Sequence, residues 1–405
     1  MTEKNYPVVK EGMDRLKAIC DEKLAIKYSA DAQAEAAKRL EWELAAIKRT
    51  DTAFEFLYLR DMIASLGLKD YEYLVRGASG SSIVAYLCGI SQIDPLEYDL
   101  SAEFVFGFNG DKEPVLDINI PEAYLSAAKA FYERIDGIKA VIELENDEKS
   151  IPCKRLMLIP EGSDVPVIHD SNDEWELRDR FFVQIILTCS GLDMMESLFK
   201  ATGVKPGDIS LNDEKVISFF NGYDGSDSYF EGISGFGGSS FDSSSVESED
   251  AYKPESILSV LKECAIKSYK DLARVQSLVH GTGVWTDDQD QLIRSGIADI
   301  RSIITCREDV FDHCVAKGFD RELAFKVAED VRKGKVAKGK SAVWDEAKDA
   351  LLAAGTPDWY VNACEKIEYL FPRAHSLSYM LRDWYLAWFK VYYPEQFAEA
   401  LSRND

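Results

Sequence analysis

Paired cysteines, histidine-rich motifs, long apolar runs and positive charge are all scarce in this 405-residue chain, and each shortage excludes something. The eight cysteines stand at 20, 88, 153, 189, 264, 306, 314 and 364, with no Cys-x-x-Cys pair among them. That spacing speaks against a zinc knuckle or a small disulfide framework and for free thiols in a reducing compartment. Only four histidines occur, at 169, 280, 313 and 375, in neither a Ser-His-Asp nor a His-Glu-x-x-His arrangement, so a hydrolase or zinc enzyme has little support. A Rossmann glycine fingerprint is also missing. No apolar h-region follows Met1-Thr2-Glu3-Lys4-Asn5, and no stretch approaches the roughly 20 apolar residues of a membrane span, so the expectation is a soluble cytoplasmic protein with no membrane partner.

Basic residues number 47 against 71 acidic ones, for a formal net charge of -24. Gripping phosphate backbones across a broad surface calls for the opposite balance, because cations that displace counterions supply most of the nonspecific affinity. A local basic cleft remains compatible with an acidic whole.

What is present is ample core material: 46% of residues are hydrophobic and 11% aromatic, enough for two or three domains. Residues 8–67 read as helices, with Leu40, Leu44 and Ile47 on one face. Tyr73-Leu74-Val75 reads as a short strand, followed by a Gly-Ser turn and the helical run Ile83 to Leu87. Residues 104–108 and 114–120 also read as strands, and Phe181 to Leu187 as a strand buried on both faces. Residues 221–250 are crowded with Gly, Ser, Asp and Glu, which predicts a linker or mobile loop. Within them, Gly235-Phe236-Gly237-Gly238-Ser239-Ser240 lacks the Lys-Ser/Thr of a phosphate-binding loop. From Pro254 onward the pattern is helical, with breaks at Gly318 and Gly355 and helix caps expected at Asp320 and at Thr356 or Asp358.

Two blocks carry possible phosphate chemistry. Gly80-Ser81-Ser82 before a helix places a close-approach glycine beside hydroxyl and amide donors suited to a triphosphate, although such a turn is more often only a helix cap. Arg332, Lys333 and Lys335 belong to the densest basic run, which reads either as a triphosphate or template contact or as a solvated helix end. In Pro114-Val115-Leu116-Asp117-Ile118-Asn119-Ile120 one acidic residue stands where a nucleotidyltransferase palm needs two at alternating strand positions to hold Mg²⁺.

Several blocks occur in an order that resembles the C family of bacterial replicative polymerases, the PolC-type DNA polymerase III alpha subunits. They are Arg76-Gly77 through Gly80-Ser81-Ser82-Ile83-Val84-Ala85, Phe106 to Lys112, His280-Gly281-Thr282-Gly283-Val284-Trp285, Val331-Arg332-Lys333-Gly334-Lys335, and Phe371-Pro372-Arg373-Ala374-His375-Ser376. The resemblance implies an α+β fold: a nucleotidyltransferase-like palm of mixed sheet and helices, then a mostly helical fingers domain. It places a helical lead-in at 1–70, the palm at 71–220 with the thumb largely missing, a linker at 221–250 and fingers at 251–405. The family's cysteine-rich zinc insertion is expected to be missing between Pro95 and Phe104.

The resemblance also implies roles. Val115, Asp117 and Ile185 fall on the family's three catalytic aspartates, so one ligand of three survives, and Asp193 could stand in for the third only with a shift of strand register. Arg76, Gly80, Ser81, Ser82, Arg332, Lys333, Lys335, Arg373 and His375 fall on nucleotide-contacting blocks, His375 alternatively capping its helix. The expectation is a catalytically defective protein related to DNA replication that binds nucleotide triphosphate, DNA or replication proteins, with Mg²⁺ as cofactor only if it is active. The alternatives are an active DNA polymerase or nucleotidyltransferase with an atypical metal site at Asp117, or a pure interaction scaffold.

Overall fold

The computed structural model describes residues 4–144, 153–168, 177–189, 191–222, 229–233, 260–261 and 263–404. His169 and the Gly235–Ser240 stretch lie outside the described residues, as does most of the expected linker. The chain forms two compact units, one reaching Glu196 and one beginning at Ser197.

The first unit begins with α1 (Gly12–Lys27), α2 (Ala30–Thr50) and α3 (Ala53–Leu66). Helix α2 buries Ala36, Leu40, Glu43, Ala46 and Ile47, a spacing that lays one stripe against the core. Helix α3 has a long buried run, Ala53 to Leu59, and ends at Gly67, whose φ of +68° allows its N–H to reach the last turn's carbonyls.

Strand β1 (Leu74–Val75) leads through a 3-10 turn at Ser79–Ser81 into α4 (Ile83–Leu87), and α5 (Glu103–Phe106) precedes β2 (Ile118–Asn119). The strand expected at 104–108 is therefore a single helical turn. Phe104, Val105 and Phe106 are all buried, and an unbroken apolar run does not distinguish the two states. Gly107, at φ +76°, ends that turn. The strand expected over 114–120 forms its ladder only at Ile118–Asn119.

Helix α6 (Leu125–Tyr132) is followed by β3 (Ile138–Glu143), β4 (Cys153–Pro160) and β5 (Val183–Leu187). The sheet order is β1-β2-β5-β4-β3, with β2 and β5 parallel and every other pair antiparallel. One face turns Ile118, Ile186, Leu156 and Leu158 into the main core. The other carries a smaller cluster of Met157, Ile159, Leu144, Leu177 and Phe181.

Helix α7 (Leu192–Thr202) spans the division, and the second unit continues with α8 (Glu214–Asn221), α9 (Tyr269–His280), α10 (Asp287–Arg294), α11 (Arg307–Ala316), α12 (Arg321–Arg332), α13 (Trp344–Ala353), α14 (Asp358–Lys366), α15 (Arg373–Tyr392) and α16 (Pro394–Asn404). Residues 197–222 thus belong to the helical unit, upstream of the boundary expected from composition. Helix α15 is its central element, packed by α8, α9 and α16 around a fully buried Trp384. Asp320 caps α12 by accepting from the Glu322 and Leu323 amides, whereas the Thr356 hydroxyl pairs with His313 at 3.0 Å instead of capping α14. Among the described residues no helix is long and apolar enough to cross a membrane.

Candidate active-site face and fingers-side contacts

Asp117 directly precedes β2, and the ladder registers fix its neighbours. Val75 pairs with Ile118 and Ile118 with Ile186, so one residue along each strand Arg76 stands opposite Asp117 and Asp117 beside Ile185. The Arg76 amide donates to the Asp117 carbonyl at 3.1 Å. On the far side, Ile185 pairs with Arg155 of β4. Residues paired across strands share a face, so the row reads Arg76, Asp117, Ile185, Arg155. Val115, two residues before Asp117, is 60% exposed. The intervening Leu116 and Gln184 point to the opposite, buried side, where the Gln184 amide nitrogen donates to the Leu116 carbonyl at 3.0 Å and the Tyr132 hydroxyl donates to its oxygen at 3.2 Å.

Two further carboxylates of this unit, Glu55 and Asp193, are shifted upward. Glu55 of α3 is buried, and burial, followed by the charge of Asp117, pushes its carboxyl well above the ordinary range. Asp193 sits in the first turn of α7, raised by burial and by Glu196 and Glu122. Among the described residues there is no group of three or more His, Cys, Asp or Glu side chains placed to hold a metal ion.

The Gly-Ser-Ser turn is buried, and most of its donors are already in use. The Ser82 hydroxyl donates to Glu43 at 2.6 Å, and the Ile83 and Val84 amides donate to the same carboxylate at 3.0 and 3.2 Å. Arg39 donates to Glu43 at 2.7 Å and also to the Ser81 carbonyl at 2.7 Å. Ser79 donates to the Val115 carbonyl at 2.6 Å, which ties the turn to the strand that carries Asp117. The Ser81 hydroxyl is enclosed without a partner among the described residues. Glu43 therefore takes up the Ser82 hydroxyl and the two amides that follow it. Its sequence signal is a glutamate between Leu40 and Ile47 on the apolar face of α2.

In the helical unit, the blocks at 280–285 and 331–335 meet residues 366–373, where the Phe371 block begins. The Thr282 amide donates to the Tyr369 carbonyl, the Leu370 amide to the Arg332 carbonyl, and the Arg307 amide to the Phe371 carbonyl. Gly283 and Gly334, both at positive φ, lie so close to this segment that an added Cβ would come 2.5 Å from the Lys366 oxygen and 2.6 Å from the Glu368 oxygen.

The basic residues around the junction are matched internally. Arg332 and Lys333 both pair with Glu329, at 2.9 and 3.0 Å, and Lys335 pairs with Asp330 at 2.8 Å. Burial would raise the Glu329 carboxyl, but Arg332, Arg307 and Lys333 override it and hold the group at about 2. Arg373, at the start of α15, pairs with Asp312 at 2.7 Å and Asp309 at 3.2 Å, while its amide donates to Glu308 at 2.8 Å. His375 stacks on Tyr379 with ring centroids 4.4 Å apart and lies against Phe371 at 5.1 Å.

Comparison with known families agrees with this two-part layout. The family model described as Bacterial DNA polymerase III alpha NTPase domain matches residues 14–142, and that described as Bacterial DNA polymerase III alpha subunit finger domain matches 188–353. The chain belongs to the PolC-type DNA polymerase III alpha family. DNA polymerase III PolC-type of Caldanaerobacter subterraneus subsp. tengcongensis is 27% identical over 96% of this chain and 34% of its own length. The protein of the same name from Thermotoga petrophila is 26% identical over 99% of this chain and 35% of its own, and that from Lactococcus lactis subsp. lactis is 26% identical over 88% and 27%. The chain thus spans about a third of the length of these relatives. The palm-like sheet unit followed by a helical fingers region is the α+β arrangement expected of the family.

Proposed function

We propose that this chain is a palm-and-fingers unit related to DNA replication that has lost phosphoryl transfer and keeps a binding role toward nucleotide triphosphate, DNA or replication proteins. The observation that carries the reading is the row Arg76, Asp117, Ile185, Arg155 on one sheet face. Two-metal phosphoryl transfer needs several hard oxygen donors around ions about 4 Å apart. This row supplies one carboxylate and an isoleucine between two arginines, and Val115 adds no donor. The residues do not fit a pair of Mg²⁺ ions, and no reaction step is assigned to them.

An active enzyme with an atypical metal site would need carboxylates besides Asp117, such as Glu55 or Asp193. Burial favours the neutral form of Glu55, which is a poor metal ligand. On the fingers side, phosphate would have to displace Glu329 from Arg332 and Lys333, Asp330 from Lys335, and Asp309 or Asp312 from Arg373. Nucleic-acid binding is therefore expected to be weak.

The test is template-directed nucleotide incorporation with Mg²⁺ or Mn²⁺, run beside fluorescence-polarisation binding of a primer-template. Binding without incorporation is the expected result. Incorporation that disappears in Asp117→Ala would overturn the proposal.

A further inference from the structure

Residues 286–289, Thr-Asp-Asp-Gln, have the spacing of a capping box at the start of α10. In such a box the threonine accepts an amide of the first turn and the glutamine reaches back to the threonine amide. Neither bond forms here. Among the described residues Thr286 makes no side-chain capping bond, and the Gln289 side-chain oxygen has no hydrogen-bond partner although the residue is only 3% exposed. Both side chains line a cleft of about 720 Å³ between α10 and α14, within the size range of small-ligand sites. The opposite wall presents Trp359 and Ala363, one helical turn apart, and Leu292 adds an apolar surface from α10.

The charges at the cleft are already matched. Lys366 pairs with Asp288, and Arg294 pairs with Asp290 at 2.9 Å and Glu263 at 3.1 Å. A phosphate group would therefore find no cation awaiting a partner, and a neutral occupant is favoured. A carboxamide offers a donor and an acceptor side by side, the pattern that complements the hydrogen-bonding edge of a base, and an indole face stacks on such a ring. With its oxygen unbonded, the Gln289 carboxamide can turn toward an occupant.

We propose that the cleft between α10 and α14 is a nucleobase pocket, in which Gln289 reads the edge of the base and Trp359 carries its face. The base could belong to a free nucleoside or to a single strand. The site lies wholly within the helical unit, so its test and the incorporation assay can fail separately.

Adenosine, a short single-stranded oligodeoxyadenylate and inorganic triphosphate are titrated into the intact chain by calorimetry, with tryptophan fluorescence as a second readout. Binding of adenosine identifies a nucleoside site, and binding of the oligonucleotide alone identifies a base held within a strand. Either supports the pocket, provided that Gln289→Leu weakens binding by about tenfold or more. The same substitution should hold or raise the thermal midpoint, since it replaces an unmatched polar group with an apolar one of similar size; a merely structural glutamine would lower it. If Gln289→Leu does not fold, Ala363→Phe, which fills the cleft from a half-exposed position, must abolish binding. Failure of both probes to bind, equal binding by the variants, or displacement of the bound probe by triphosphate would overturn the proposal.

Discussion

Ser82 donates a 2.6 Å hydrogen bond to Glu43, a carboxylate wholly removed from solvent. Two backbone amides and Arg39 complete its shell. Truncation by Glu43→Ala leaves these donors buried and unmatched, so it should destabilise the first unit by about 3 kcal/mol or more in urea unfolding. Glu43→Gln keeps an acceptor and the shape of the side chain, and should cost less than half as much. Equal stability of the two variants would mean that the turn finds other partners.

Two glutamates, Glu55 buried and Glu329 partly buried, should give opposite pH slopes. Glu329 is held at about 2 against an ordinary value of 4.5, so its stabilisation is complete above about 4.5 and is lost as pH falls toward 2. The full effect is on the order of 3 kcal/mol. Glu55 is raised, so its native form keeps a proton that the unfolded chain releases, and its contribution to stability falls as pH rises above 4.5. Unfolding of Glu329→Gln and Glu55→Gln followed from pH 3 to 7 should flatten one slope each, in opposite directions.

Placing carboxylates at positions 115 and 185 should not suffice to bind metal. In Val115→Asp/Ile185→Asp the new carboxylate at 185 lies beside Arg155, which competes for it. Adding Arg155→Gln should produce Mn²⁺ binding detectable by paramagnetic resonance where the double variant shows little. Strong Mn²⁺ binding by the double variant alone would show that Arg155 is directed elsewhere.

Much of this architecture is legible in the sequence, and the exceptions have physical causes. The short strand at Leu74–Val75 and the strand at Val183–Leu187 follow from short apolar runs, and the N-terminal helices from the spacing of their apolar residues. Strands β3 and β4 are not apparent because Lys139, Glu143, Lys154 and Arg155 interrupt any simple alternation. The palm row is legible only through Asp117. Arg155 enters it by a cross-strand register that sequence spacing does not reveal. Similarly, Arg332, Lys333, Lys335 and Arg373 stand out as a basic signal, but the acidic residues that match them come from neighbouring turns and from α11.

Gly334→Ala should destabilise the helical unit by about 2–4 kcal/mol, since it adds a Cβ at φ +63° against the Glu368 backbone. Gly339, also at positive φ but with open space around it, is the control. Gly339→Ala should cost about 1 kcal/mol in the same denaturation experiment. Similar losses at the two sites would remove close packing as the cause.

The backbone junction at 366–373 makes the His-Gly-Thr-Gly, Arg-Lys-Gly-Lys and Phe-Pro-Arg blocks a single cooperative element rather than three loops. The amide of Thr282 is bonded to Tyr369, those of Glu368 and Tyr369 return to the Thr282 carbonyl, and that of Leu370 is bonded to Arg332. None of these bonds can open without loosening its neighbours, so the amides of 282, 369 and 370 should show one common protection free energy in deuterium exchange. Tension applied to any block would reach the start of α15 through main-chain bonds, without depending on a chain of side-chain rotamers.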